Sequence, residues 1–194
     1  WLETPAILGC MDPLAQNYNE EANSDNGSCF GSPVNSQDFI YAGSFEDSYY
    51  YISINQESWI DSELICQDNS GHLVSIGSQE ENMFLGSIVP YNAIWVGLSD
   101  IEGNWEWSDG TSVDFFNWRT DQPNGSNQNC VDFYPDASIA GSVFQGQYNV
   151  WTDANCNDAY YFVLEYREIG GCTDFLADNY NSDANADDGS CLYT

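Results

Sequence analysis

The 194-residue sequence predicts an α+β domain that carries a small disulfide-closed repeat at each end. Three observations predict it. Two helix-patterned segments precede a series of short aromatic-rich strand segments, separated by Gly- and Asn-rich turns. A cysteine-bounded stretch near the N-terminus returns near the C-terminus. Seven cysteines occur without a Cys-x-x-Cys pair, which fits disulfides in an oxidising, extracellular setting.

Residues 1–8 read as a tail with apolar Trp1-Leu2 and Ile7-Leu8. Residues 9–30 then form the first repeat. Aligned at an offset of 162, Gly9 to Cys29 and Gly171 to Cys191 agree at 14 of 21 positions, including Gly-Cys-x-Asp, Asn-Tyr-Asn and Gly-Ser-Cys. A unit this small cannot build its own core, so Cys10–Cys29 and Cys172–Cys191 are expected to close it, each contributing about 2–4 kcal/mol. Oxygen donors recur between the cysteines: Asp12, Asn17, Asn19, Asn23 and Asp25, matched by Asp174, Asn179, Asn181, Asn185 and Asp187. Calcium takes six to eight such oxygens, so each repeat is a candidate calcium loop; capping of turns by the same Asn and Asp side chains is the alternative. The unit resembles short Gly-Cys-Thr-Asp…Asp-Asp-Gly-Ser-Cys modules of secreted proteins from aquatic bacteria and algae, which implies a spacer or display role.

Residues 31–36 read as a linker and 37–168 as the central domain. Tyr49 to Ile54 alternates like a strand, and Gln56 to Gln67 reads as a helix presenting Ile60 and Leu64 on one face. Ser78-Gln79-Glu80-Glu81 is a capping box that opens a second helix through Phe84, Leu85 and Ile88, stopped by Pro90. Short strands are predicted around Ile94–Leu98, Trp105–Trp107, Val131–Tyr134 and Tyr160–Tyr166. Residues 169–194 hold the second repeat and a tail with Leu192-Tyr193.

The central residues carry a resemblance. Trp59, Cys66, Gly71-His72-Leu73-Val74-Ser75-Ile76, Trp95-Val96-Gly97-Leu98 and Gly103-Asn104-Trp105-Glu106-Trp107 occur in one order and spacing. Gln122-Pro123-Asn124, Asn129-Cys130-Val131, Trp151-Thr152-Asp153, Cys156 and Phe162-Val163-Leu164-Glu165 continue it. Together they resemble the C-type lectin domain: two helices, short mixed strands and a long loop region. The resemblance implies a Cys130–Cys156 bridge across the long loop. It also implies that Cys66, whose usual partner position holds Leu164, is a free thiol. Sugar-binding members hold a calcium ion that bridges protein and sugar, and its ligands here would be Gln122, Asn124, Gln128, Thr152 and Asp153. Only Asp153 is charged, so the site is expected to be weak unless Asp121, Asp132 or Asp158 contributes. Asp100 and Glu102 fall near the family's auxiliary calcium position, with turn capping as the competing role.

Composition narrows the function. There is no lysine, Arg119 and Arg167 are the only arginines, and 31 acidic residues give a net charge of -29. Such a surface repels nucleic acid and anionic lipid. No apolar run approaches the roughly 18 residues of a membrane span, and a chain opening at Trp1 reads as a mature protein or a piece of a longer one. The single histidine, His72, supports neither a zinc site nor a triad and reads as structural. Trp95, Trp105, Trp107, Trp118 and Trp151 read as core, and no carboxylate pair stands out for acid–base chemistry. Asn26 and Asn124 head glycosylation sequons, and a glycan on Asn124 would cover the loop. The expected function is extracellular recognition or adhesion, non-enzymatic, binding a glycan or another surface ligand with calcium. The alternative is a structural subunit that self-associates through its end repeats into a fibre or array; ice or mineral binding is a third.

Overall fold

The computed structural model describes residues 5–90, 93–136, 147–182 and 184–194; Trp1 and Leu2 lie outside them. The elements in order are β1 (Leu8–Gly9), β2 (Ser24–Asp25), β3 (Phe39–Phe45), β4 (Ser48–Ser53), α1 (Trp59–Asp68), β5 (His72–Leu73) and α2 (Gln79–Ile88). They continue with β6 (Ile94–Ser99), β7 (Glu106–Trp107), β8 (Cys130–Asp136), β9 (Tyr148–Ala154), β10 (Tyr161–Arg167), β11 (Gly170–Gly171) and β12 (Ala186–Asp187). Among the described residues the main sheet runs β3-β4-β10-β6-β8-β9, with β5 joined to β10 and β7 to β6. The β10–β6 pair is parallel and the other pairs in this sheet are antiparallel.

Both faces of the sheet are buried, because successive residues alternate between two apolar clusters. Tyr50 and Ile52, Ile94, Val96 and Leu98, Val131 and Phe133, Trp151 and Val163 face one cluster, which α2 covers with Leu85. Tyr51, Trp95, Cys130, Phe162, Leu164 and Tyr166 face the other, which α1 covers with Trp59 and Cys66. Each fully buried apolar side chain of this kind contributes about 1.5–3 kcal/mol. Gly97 sits where β5 crosses closest: a Cβ there would stand 2.7 Å from the Leu73 carbonyl oxygen. Of the five tryptophans read as core, Trp95, Trp107 and Trp151 are buried, while Trp105 and Trp118 are partly buried against the first cluster.

The helix α1 differs from its sequence reading. It begins at Trp59, three residues later than expected, where Ser58 caps the Asp61 N–H at 3.2 Å. Ile60 and Leu64 are each 53% exposed, and the buried stripe is Trp59, Ser62, Glu63 and Cys66. Glu63 explains the inversion. Its carboxylate accepts the Leu73 N–H at 2.9 Å and the Gln67 amide at 2.7 Å, and lies 2.7 Å from His72 Nδ1, so a charged side chain ties the helix to β5. That contact raises the His72 pKa above its ordinary value. In α2, Ser78 Oγ accepts the Glu81 N–H at 3.1 Å, while Glu81 reaches back to the Gly77 N–H at 2.8 Å. The sequence reading omitted β3, β5 and β9 of the main sheet and the short strands β1, β2, β11 and β12 of the repeats.

The two ends fold alike. β1 pairs in parallel with β2 and β11 with β12, at registers offset by the same interval as the sequence repeat. Disulfides join Cys10 to Cys29 and Cys172 to Cys191. A third joins Cys130 to Cys156. Cys66 is free and buried in the same cluster as Leu164, and burial pushes its thiol pKa up. No helix among the described residues is long and apolar enough to cross a membrane.

Candidate ligand site on the long loop

The loop before β8 is built on the edge of β9. Arg119 N–H donates to the Trp151 carbonyl and Trp151 N–H to the Asn117 carbonyl, both at 2.9 Å, which lays residues 117–119 alongside the strand. Asp121 then takes a left-handed conformation (φ 64°) and the Gln122–Pro123 peptide is cis. The Cys130–Cys156 disulfide closes the base of the loop where β8 begins.

Asp153, buried on β9, organises the apex. Its carboxylate accepts the Asn124 N–H at 3.0 Å and the Gly125 N–H at 2.7 Å. With the Gln122 amide oriented to suit its neighbours, its nitrogen donates to the same carboxylate and its oxygen accepts from Arg119 at 2.9 Å and from the Asn124 amide at 3.1 Å. Asn124 Nδ2 also donates to the Asp121 carbonyl at 3.0 Å. Gln128 lies over Gly125, where an added Cβ would run into its amide. Gln122, Asn124, Gln128 and Asp153 are therefore brought together. Thr152 is not part of this group, because its hydroxyl donates to Asp132 across the β8–β9 pair.

Asp132 is buried, and burial raises its pKa to about 6, against hydrogen bonds from Thr152 and Tyr134 that lower it. Asp121 and Asp158 are exposed, and the Asp158 N–H closes a turn on the Asn155 carbonyl at 2.9 Å. Asp100 opens a turn by accepting the Gly103 N–H at 2.8 Å, and Glu102 is exposed. Asn26 is exposed, as is Asn124.

The donor chemistry of this loop does not fit a tightly held calcium ion. One carboxylate stands among the five expected ligands, and backbone N–H groups already engage it where an ion would need its lone pairs. Arg119, one of two arginines in the chain, lies within hydrogen-bonding distance of Gln122. A guanidinium there supplies the positive charge an ion would bring. Sequence reasoning passed over Arg119, although a lone cation just before the loop of so acidic a chain was a visible signal.

In the end repeats the candidate donors are engaged by the chain itself. Asp12 accepts the Leu14 N–H, Asn17 the Phe30 N–H, Asn19 the Glu21 N–H, Asn23 the Ile7 N–H and Asp25 the Gly27 N–H, at 2.7–3.1 Å. In the second repeat Asp174, Asn179, Asn185 and Asp187 do the same for Leu176, Leu192, Ile169 and Gly189, at 2.7–3.0 Å. The contacts made two residues along the chain, by Asp12, Asn19, Asp25, Asp174 and Asp187, cap turns, whereas Asn17, Asn23, Asn179 and Asn185 reach 13 or 16 residues away and tie the ends of each repeat together. Among the described residues no three acidic, histidine or cysteine side chains gather closely enough to hold a metal ion.

Comparison with known proteins supplies the family. The lectin C-type domain profile matches residues 55–165, more than half of the chain. The human protein named C-type lectin domain family 10 member A is 35% identical over 129 residues, covering 62% of this chain and 37% of that one. Mouse lithostathine-1 is 30% identical over 171 residues, covering 83% of this chain and 94% of its own length. Among solved structures, the C-type lectin domain of murine dendritic cell inhibitory receptor 2 in complex with N-glycan superposes with a TM-score of 0.57 at 26% identity, over 68% of this chain and 98% of that one. With this profile match, and with both helices and the closed loop in place, the chain belongs to the C-type lectin domain family.

Proposed function

We propose that the chain is an extracellular, non-enzymatic recognition module that binds carbohydrate at the loop apex formed by Gln122, Asn124 and Gln128, by direct hydrogen bonds without a bridging calcium ion. The convergence of three amides around an anchored Asp153 carries this reading. Gln122 spends its amide on Asp153, Arg119 and Asn124, so the groups offered to a sugar are the Asn124 side-chain oxygen and the Gln128 amide, the complement of neighbouring hydroxyls. The N-glycan held by the similar murine domain supports the ligand class. The Arg119–Gln122–Asp153 contacts support a loop held in shape by protein charge. Three disulfides fit an oxidising location, and the end repeats serve as spacers of the aquatic secreted type. Similarity to recognition domains favours this reading over the structural array.

The test is a broad glycan array probed in millimolar calcium and again in excess chelator. Binding to a subset of glycans should survive the chelator and fall at least tenfold in Asn124→Ala and Gln128→Ala. An array blank under both conditions sinks the carbohydrate reading. Binding that the chelator abolishes overturns the calcium-free part.

A further inference from the structure

A cavity of about 170 Å³ lies between the first repeat and the outer edge of the main sheet. Its walls come from both units: Asp25 and Cys29 from the repeat, and Phe39, Ile40, Tyr41 and Ile54 around β3 and β4. The size suits a compact organic ligand, since an apolar cavity of about 150 Å³ holds benzene. The lining is not purely apolar, however. Asp12 and Asp25 both contribute carboxylates, and Tyr41 and Tyr51 contribute aromatic rings.

Asp12 is 3% exposed, and the partners that hold it are neutral: the Leu14 N–H at 2.9 Å, the Tyr51 hydroxyl at 3.1 Å and the Ser32 hydroxyl. A carboxylate has about four acceptor sites, so one remains. Asp25 engages one oxygen with the Gly27 N–H at 2.7 Å, which leaves acceptor capacity on the other. The ion pairs among the described residues involve neither aspartate. Charge this poorly compensated beside apolar and aromatic walls is complementary to an organic cation.

We infer that this cavity is a binding site for a small organic ammonium ion, an arylalkylamine or an amine of similar size, with its charge against Asp12 and Asp25 and its apolar body against Phe39, Ile40 and Ile54. The inference is independent of the lectin loop. The second repeat provides an internal control. It carries the equivalent aspartates, Asp174 and Asp187, but Asp174 takes the Tyr193 hydroxyl at 2.6 Å where Asp12 takes that of Tyr51 on the sheet, and Asp187 is exposed. The same carboxylates without walls give charge but no pocket.

The experiment titrates the whole chain with 2-phenylethylamine and with 2-phenylethanol, which has the same shape and no charge, using calorimetry at neutral pH and moderate salt. The amine should bind saturably, with one site, at least tenfold more tightly than the alcohol. Asp25→Asn should weaken it tenfold or more. So should Ile54→Trp, a change at a wall position that is 41% exposed, with an unchanged denaturant midpoint as the check that the variant folds. Asp187→Asn should leave binding unchanged. Equal binding of amine and alcohol, no binding of either, or an equal loss in Asp187→Asn overturns the inference. N-acetyl-lysine methylamide tests the other source of the same chemistry, a partner's lysine side chain. Binding of that compound in place of the free amine overturns the assignment to a small ligand.

Discussion

Asp132 is 1% exposed on β8 and receives the Thr152 hydroxyl beside the loop anchor Asp153. Burial raises its pKa to about 6, whereas in the unfolded chain it takes the ordinary value near 3.9. Between those values the folded state keeps a proton that the unfolded state has released. The free energy of unfolding therefore falls as pH rises from about 4 to about 6, and this group contributes no slope outside that window. Asp132→Asn removes the titration while retaining size, and Thr152 can still pair because a hydroxyl both donates and accepts. Denaturant unfolding of both proteins at pH 3.5, 5 and 7 should show the variant gaining on the wild type by on the order of 2–3 kcal/mol across the series. Parallel pH profiles would show that the carboxyl is not held neutral by burial. His72 contributes in the same direction. Its raised pKa means that the stability from its Glu63 contact is complete below the ordinary imidazole value near 6.5 and is lost as pH rises through the folded value.

Among the elements, the join between α2 and β9 depends on a polar side chain that apolar patterning does not mark. Asn82 is fully buried; its amide nitrogen donates to the Asn149 carbonyl at 2.8 Å and its oxygen accepts Trp151 Nε1 at 2.9 Å. Asn149 adopts a left-handed conformation (φ 55°), and its carbonyl also accepts the Asn117 amide at 2.6 Å. Asn82→Ala strips a buried indole N–H of its partner and leaves a hole, so it should cost about 2–4 kcal/mol by denaturant midpoint at unchanged slope. Asn82→Asp, which cannot donate when ionised, should be at least as damaging at neutral pH. A cost below about 0.5 kcal/mol would show the network to be incidental. This junction also shows what was legible beforehand. Strands such as β6 and β10 stood out because aromatic and branched residues cluster between turn residues. The capping box marked α2. The buried stripe of α1 was hidden because Ser62 and Glu63 occupy core positions and two exposed residues, Ile60 and Leu64, imitate an apolar face. That Gln122, Asn124 and Gln128 share one loop could be read from their motif, but the Asp153 anchor, the Thr152 turn toward Asp132 and the Arg119 contact to Gln122 depend on tertiary contacts that no local pattern encodes.

For the whole molecule, a net charge of -29 against two arginines makes self-repulsion a dominant long-range term. Repulsion of this kind is screened by any salt, with a Debye length of about 10 Å at 0.1 M and about 3 Å at 1 M. A calcium loop would respond differently, since an ion bound only by the folded state stabilises by mass action well before bulk screening changes. The donors of both repeats are engaged by backbone N–H groups and the lectin loop offers a single carboxylate, so the screening response should dominate. The melting temperature should rise steadily with sodium chloride from 10 mM to 1 M. At matched ionic strength, calcium and magnesium should give equal increments, and Asp153→Ala should leave the calcium increment unchanged. The two repeats should also part company on heating. The first is held to the domain by the Asp12 contact to Tyr51, whereas the equivalent Asp174 of the second is bonded to Tyr193 of its own tail, so amides of residues 171–191 should exchange before those of residues 9–29. A calcium increment several degrees above magnesium, saturating at micromolar ion, would mean that the capped aspartates reorganise around an ion and that the acidic surface is a set of specific sites.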